Sequence, residues 1–307
     1  MITRFFKISR PFHYILFLLA ITFIFFNQFY VIKNLGTLKI TITFLCLIIS
    51  LFLVVFIITK NNLTQNNSFA AFYFCLFIFL FPSSVTNSGI IISNMFMLLA
   101  FRRILSLNSK SNLKKKYFDV GIWLCIAIFF FPWSGIFTAP FLITFFLWRK
   151  DSIKHFIILA LGLLSIVFLV ILTTILFEIS FPELTLDYSK ISLNFIFTSD
   201  LYLKIAFFIM FLFSGWVISQ TVSDTIIKPN PLKSSYIILL SIFLSSVTIS
   251  LISNISIPQN FLFSFFPISI IAANFTQNQR TYWVSEFFII TIIVLSLTKI
   301  ITNFIID

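Results

Sequence analysis

FFFPWSG (Phe129–Gly135) interrupts an apolar run that reaches from Val120 to Leu147 without a single charge. Either it kinks one long helix, or it turns the chain back where it came from, and the choice fixes the side on which every later residue lies. Proline lacks an amide donor and clashes with the preceding helical turn, so Pro132 ends a helix, and Ser134 and Gly135 suit a turn and the cap of the next one. The two arms hold about 15 residues each and reach only about 22–24 Å, short of the ~30 Å hydrocarbon thickness. A reversal would therefore lie below the membrane surface. Non-helical backbone at that depth needs protein or water around it, which predicts a cavity open to the outer face and lined by Pro132, Trp133, Ser134 and Asn94.

The membrane setting follows from composition. Of 307 residues, 60% are hydrophobic and 10% charged, with a mean hydropathy of +1.09; such a chain cannot cover itself with a water-facing surface. The fold class read from this is an all-α polytopic transmembrane bundle. It forms one integral membrane domain over 1–307, with about eleven segments at 11–31, 39–59, 68–81, 89–106, 117–132, 135–149, 155–178, 200–219, 235–253, 260–276 and 284–304. The opening MITRFFKISR and the apolar stretch after it have the outline of a signal peptide. No small-residue cleavage site follows, so this stretch reads as an uncleaved first helix. The location expected is a bacterial inner membrane.

Basic residues decide the orientation. With the N-terminus in the cytoplasm and a turn at PWSG, every Lys and Arg falls inside except Lys33, Lys39, Lys190, Lys204 and Lys299, as the positive-inside rule requires. A single helix across the proline would place Lys114–Lys116 and the Arg149-Lys150 pair on opposite faces. The scheme leaves a basic cytoplasmic loop at 107–116 and a long outer loop at 181–199. The net charge of +12 is accounted for by anionic headgroups, and no basic soluble module is present to bind nucleic acid.

The polar residues are few. Glu183 and Asp187 share the outer loop four residues apart, a spacing that places two carboxylates on one helical face and makes them the candidates for acid–base work; the simpler reading is a solvated loop, since exposed loops normally contain such residues. Asp119, Asp151, Asp200 and Glu286 stand near helix starts, where a carboxylate caps free amides. His13 and His155 read as interfacial anchors. Cys46, Cys75 and Cys125 lie in apolar runs as small packing residues. No metal, cofactor or nucleotide motif is found, and no cofactor is implied. The pattern Phe-Pro-x-Ser recurs at Phe81–Ser84 and Phe266–Ser269.

Three stretches, KNNLTQNNS (Lys60–Ser68), NMFMLLAFRRILSL (Asn94–Leu107) and KKKYFDVGIW (Lys114–Trp123), resemble an uncharacterised family of Bacteroidetes polytopic inner-membrane proteins known as a domain of unknown function. A more distant resemblance is to the GT-C superfamily of membrane glycosyltransferases. In those enzymes a helix with a basic end leads through a cytoplasmic loop into a short helical hairpin. That likeness implies a polyprenyl-linked sugar donor and an acidic site in the first outer loop. Here that loop, NQFYVIKNLGTLK (Asn27–Lys39), has no acid, and none precedes Asp119.

Three functions follow as expectations: a non-catalytic membrane subunit or assembly factor; a GT-C-like handler of a polyprenyl- or lipid-linked substrate at the outer face; and a transporter. The first needs no buried charge. The third is the least expected, because six glycines are few against the roughly 7% of average usage, and packing of moving helices relies on small residues. The partners expected are membrane lipids together with a membrane protein or a polyprenyl-linked lipid.

Overall fold

The computed structural model describes residues 2–28, 36–108, 111–147, 153–178, 200–227, 233–253, 255–279 and 282–306. Among them are thirteen α-helices, three 3-10 segments and no strand. The helices are α1 (Ile2–Phe6), α2 (Pro11–Asn27), α3 (Thr37–Asn61), α4 (Phe69–Leu80), α5 (Ser88–Leu105), α6 (Leu113–Phe130), α7 (Thr138–Leu147), α8 (Ile153–Phe177), α9 (Leu201–Ile227), α10 (Lys233–Ile252), α11 (Ile257–Asn260), α12 (Leu262–Asn278) and α13 (Trp283–Ile306). Five stretches are long and apolar enough to cross a membrane by length and composition: Thr37–Asn61, Ser88–Asn108, Lys154–Phe177, Leu201–Ser223 and Lys233–Ile252.

FFFPWSG turns the chain back. Pro132–Phe137 forms a 3-10 segment between α6 and α7, and a Cβ on Gly135 would stand 3.8 Å from Ile128 Cδ1. Thr138 and Phe145 of α7 wall one cavity with Leu124 and Tyr117 of α6, so α7 retraces α6. The arms differ from the equal pair expected: α6 has 18 residues and α7 has 10. The reason lies at the start of α6. Asn112 adopts a left-handed conformation with φ 50°, and the helix begins at Leu113, taking in Lys114–Lys116, which read as loop in the sequence. Lysine is a good helix former, and nothing in the sequence before Asn112 obliges the helix to wait for the apolar run.

The first Phe-Pro-x-Ser element has the same local form. Phe81 and Phe131 are each followed by a proline that opens a 3-10 segment. The amides of Ser84 and Ser134 donate to the carbonyls of Phe81 and Phe131, at 2.9 and 3.0 Å. The third copy differs, because Pro267 and Ser269 lie inside α12. Both turn phenylalanines pack on α12, Phe81 against Phe265 and Phe131 against Phe263. Helix α12 is buried along nearly its whole length, from Leu262 to Thr276. It is enclosed on all sides, its few polar residues Ser264, Ser269, Asn274 and Thr276 included, which is how a central helix differs from a one-faced surface helix. Around it stand α4, α9 and α10.

A second close contact is made by glycine. Helix α8 packs on α6 where a Cβ on Gly162 would lie 2.4 Å from the Phe118 carbonyl oxygen, and one on Gly121 would lie 2.4 Å from that of Leu159. Small residues at such crossings let backbones meet, which is the main source of helix adhesion where the surroundings are as apolar as the side chains. The rest of α8 faces outward, through Phe156, Leu161, Leu164, Phe168 and Phe177 among others.

Polar contacts between distant segments sort the helix ends into two sets. In one, Thr3 donates to Glu286 at 2.7 Å, His13 and Ser68 share a buried hydrogen bond of 2.9 Å, Asn67 donates to Gln277 at 2.8 Å, and Asn274 donates to the Leu63 carbonyl at 3.0 Å. In the other, Tyr202 donates to the Leu80 carbonyl at 2.7 Å, Gln259 to Thr86 at 2.8 Å, and Lys299 meets Asp200 at 3.0 Å. Helices α4 and α13 run from the first set to the second, and α5 runs back. His13 is accordingly a buried tie between α2 and the start of α4 instead of the interfacial anchor expected, because α1 and the α3–α4 link fold over it.

Candidate functional site

Glu183 and Asp187, the acid–base candidates, lie outside the described residues. Pro132, Trp133 and Ser134 form the 3-10 segment, and Asn94 sits on the buried face of α5. Ser134 and Asn94 are both almost fully enclosed. The Ser134 hydroxyl and both amide atoms of Asn94 have no hydrogen-bond partner, and neither has the hydroxyl of Ser84 in the matching turn. Ser93, next to Asn94 on α5, donates to the Ala127 carbonyl at 3.0 Å, tying α5 to α6 just below the turn. Trp133 is half-buried against the core.

A cavity of about 450 Å³ lies elsewhere, at the other end of the helices from the Phe-Pro-x-Ser turns. Lys60, Asn61 and Asn62 come to it from the end of α3, Arg102, Arg103 and Ser106 from the end of α5, Asn108 and Ser111 from the link, Lys116 from the first turn of α6, and Ser235 from α10. Three of the cations are held by a neighbour. The Arg103 guanidinium meets the Asp119 carboxylate at 2.6 Å, Lys116 donates to the Ser106 carbonyl at 2.6 Å, and Arg102 lies over the Phe56 ring, 4.4 Å from its centroid. Asp119 is thus an ion-pair partner inside α6 and not the cap expected, since the helix starts six residues before it. Asp200 does cap, accepting from the Tyr202 amide at 3.0 Å.

The local electrostatics are uneven. Lys60, Arg102 and Arg103 occupy the last turns of α3 and α5, where the negative end of a helix dipole favours cations. Lys116 is in the first turn of α6, with no acid in that turn and no side-chain cap from Asn112. There the dipole opposes a cation by about 0.3–1 kcal/mol. Lys116 is nevertheless 8% exposed. Among the described residues lining the cavity, four are cationic and none is acidic.

The sequence counted these cations only as markers of sidedness; the available signal was that three basic clusters all sit at helix ends assigned to one side. Among the described residues no group of three or more His, Cys, Asp or Glu side chains could hold a metal ion. Cys46, Cys75 and Cys125 are buried free thiols.

These features define an all-helical protein with several membrane-span-like helices and a basic cavity at one end. The chain belongs to the family of unknown function DUF6427, whose model matches residues 1–304. No curated protein and no solved structure matches it.

Proposed function

We propose that the chain is a multi-pass protein of the bacterial inner membrane, with about eleven embedded segments and a cytoplasmic N-terminus, acting as a non-catalytic membrane subunit or assembly factor. The observation that carries this reading is the sorting of helix ends. Lys60, Arg102, Arg103 and Lys116 gather at one end, and the positive-inside rule assigns that end to the cytoplasm. The Phe-Pro-x-Ser turns and the Tyr202–Leu80 contact then belong to the outer side. Helix α8 supports the role of a subunit, since it is docked by one edge and presents a long uncharged face on which a second membrane helix can seat.

A subunit is expected to migrate with a second membrane protein at fixed stoichiometry after extraction in mild detergent. Phe168→Ala and Leu164→Ala, on the outward face of α8, are expected to weaken that association without lowering the amount of folded chain. Recovery solely as a lone chain contradicts the reading.

A second reading, a handler of a polyprenyl- or lipid-linked substrate with a GT-C-like plan, is favoured by the basic cavity, since lipid-linked sugars carry phosphate. The cavity's place at the cytoplasmic end moves that contact away from the outer face expected from the sequence.

A further inference from the structure

Four cations, Lys60, Arg102, Arg103 and Lys116, stand around one concavity, and the last three are already oriented by an aromatic ring, a carboxylate and a carbonyl respectively. Gathering them costs mutual repulsion in surroundings less polar than water, and Lys116 adds the unfavourable helix-dipole contact at the start of α6. A bound anion relieves both terms. It would meet Lys60, Arg102 and Lys116 across the cavity, with Arg103 fixed beside them by Asp119.

The groups between the cations are neutral hydrogen-bond formers, Asn62, Asn108, Ser111 and Ser235. Tetrahedral oxyanions with several acceptor oxygens use such a mixed set fully. Arginine adds a planar fork matched to phosphate oxygens, and lysine a point charge. The volume, about 450 Å³, falls in the ~300–1,000 Å³ range of small-ligand sites.

We propose that this cavity is a binding site for a phosphate-bearing anion, with Lys60, Arg102 and Lys116 as its cationic contacts. The site develops the second functional reading only in its phosphate chemistry and requires no sugar transfer. Phosphate is the chemistry shared by a lipid headgroup that slides in from the inner leaflet and by a soluble phosphate from the cytoplasm. Basic pockets between membrane helices on that side are suited to either.

The test uses the full chain in nanodiscs. One arm adds inorganic pyrophosphate to discs of neutral phosphatidylcholine, and the other replaces part of that lipid with phosphatidylglycerol. Thermal stability is read in both. A rise in Tm in the second arm alone identifies a lipid headgroup, and a rise in the first alone a soluble phosphate; a rise in both identifies a site that recognises phosphate with or without a tail. In the Arg102→Gln/Lys116→Gln double variant the apparent affinity is expected to fall at least about tenfold. The charge-preserving Arg102→Lys/Lys116→Arg pair retains most of the response, and Lys204→Gln, at the other end of the molecule, retains all of it. Should the double variant fail to fold, Lys60→Gln, at an exposed helix end, gives the same comparison. No rise in either arm overturns the proposal, as does a rise of equal size in the wild type and the folded cavity variants.

Discussion

Gly162→Ala is expected to detach α8 from α6 and to lower the stability of the folded chain by about 3 kcal/mol, the upper end of overpacking costs. The added Cβ would lie 2.4 Å from the Phe118 carbonyl oxygen and 3.2 Å from Gly121 Cα. Both are backbone atoms, so no side chain can rotate away to make room. The two helices must separate, and the dispersion contacts along their whole crossing weaken with distance. Gly215→Ala is the control, because nothing lies within 4 Å of a Cβ there. Thermal unfolding in detergent, followed by size-exclusion chromatography, should show a clear fall in Tm for Gly162→Ala and little change for Gly215→Ala. Equal stability of the two variants would show that α8 does not depend on the glycine contact.

Phe81→Ala should have the next largest effect. Its fully buried ring packs at 4.9 Å from Phe207, 5.7 Å from Phe261 and 6.1 Å from Phe265, measured between centroids. It therefore joins the first turn to α9 and to the start of α12. In water-soluble proteins such a truncation costs about 3–5 kcal/mol. Within lipid the transfer part of that cost is largely missing, because the chain tails are as apolar as the ring, so about 2 kcal/mol of lost packing is expected. Phe146→Ala, at a position 74% exposed, should leave the unfolding midpoint unchanged.

Much of this architecture was legible because membrane helices announce themselves by apolar length. All eleven expected segments coincide with helices α2 to α10, α12 and α13 to within several residues. The reversal at PWSG was legible because proline, serine and the basic residues on either side agreed. The short helices α1 and α11 were not, since four or five residues give no periodic signal. The start of α6 was missed because segments are read from apolar runs, and Lys114–Lys116 lie just outside the run that begins at Tyr117. The equivalence of the turns at Phe81 and Phe131, and the exception at Phe266, depends on where each proline falls relative to a helix end, and the four-residue pattern does not encode that.

The basic cavity was only half legible. Its cations lie in KNNLTQNNS, NMFMLLAFRRILSL and KKKYFDVGIW, stretches distinctive enough to carry a family resemblance. Their convergence depends on α3, α5 and α6 ending side by side, a matter of packing between distant segments. The unpartnered Asn94 and Ser134 were chosen from the sequence as cavity-lining groups. The structure places both in nearly sealed surroundings, where only the packing of α5 and the 3-10 turn determines their exposure.

On the proposed sidedness, the basic cavity faces the cytoplasm and the turn region faces outward. Cysteine labelling tests it most directly, because Cys46, Cys75 and Cys125 are buried and contribute little background. Asn66→Cys lies in the α3–α4 link and Ser256→Cys beside α11, both at exposed positions. With a membrane-impermeant maleimide, Ser256→Cys should react in spheroplasts and Asn66→Cys only in inverted membrane vesicles. Reaction of Asn66→Cys in spheroplasts, or of both positions from the same side, would contradict the account.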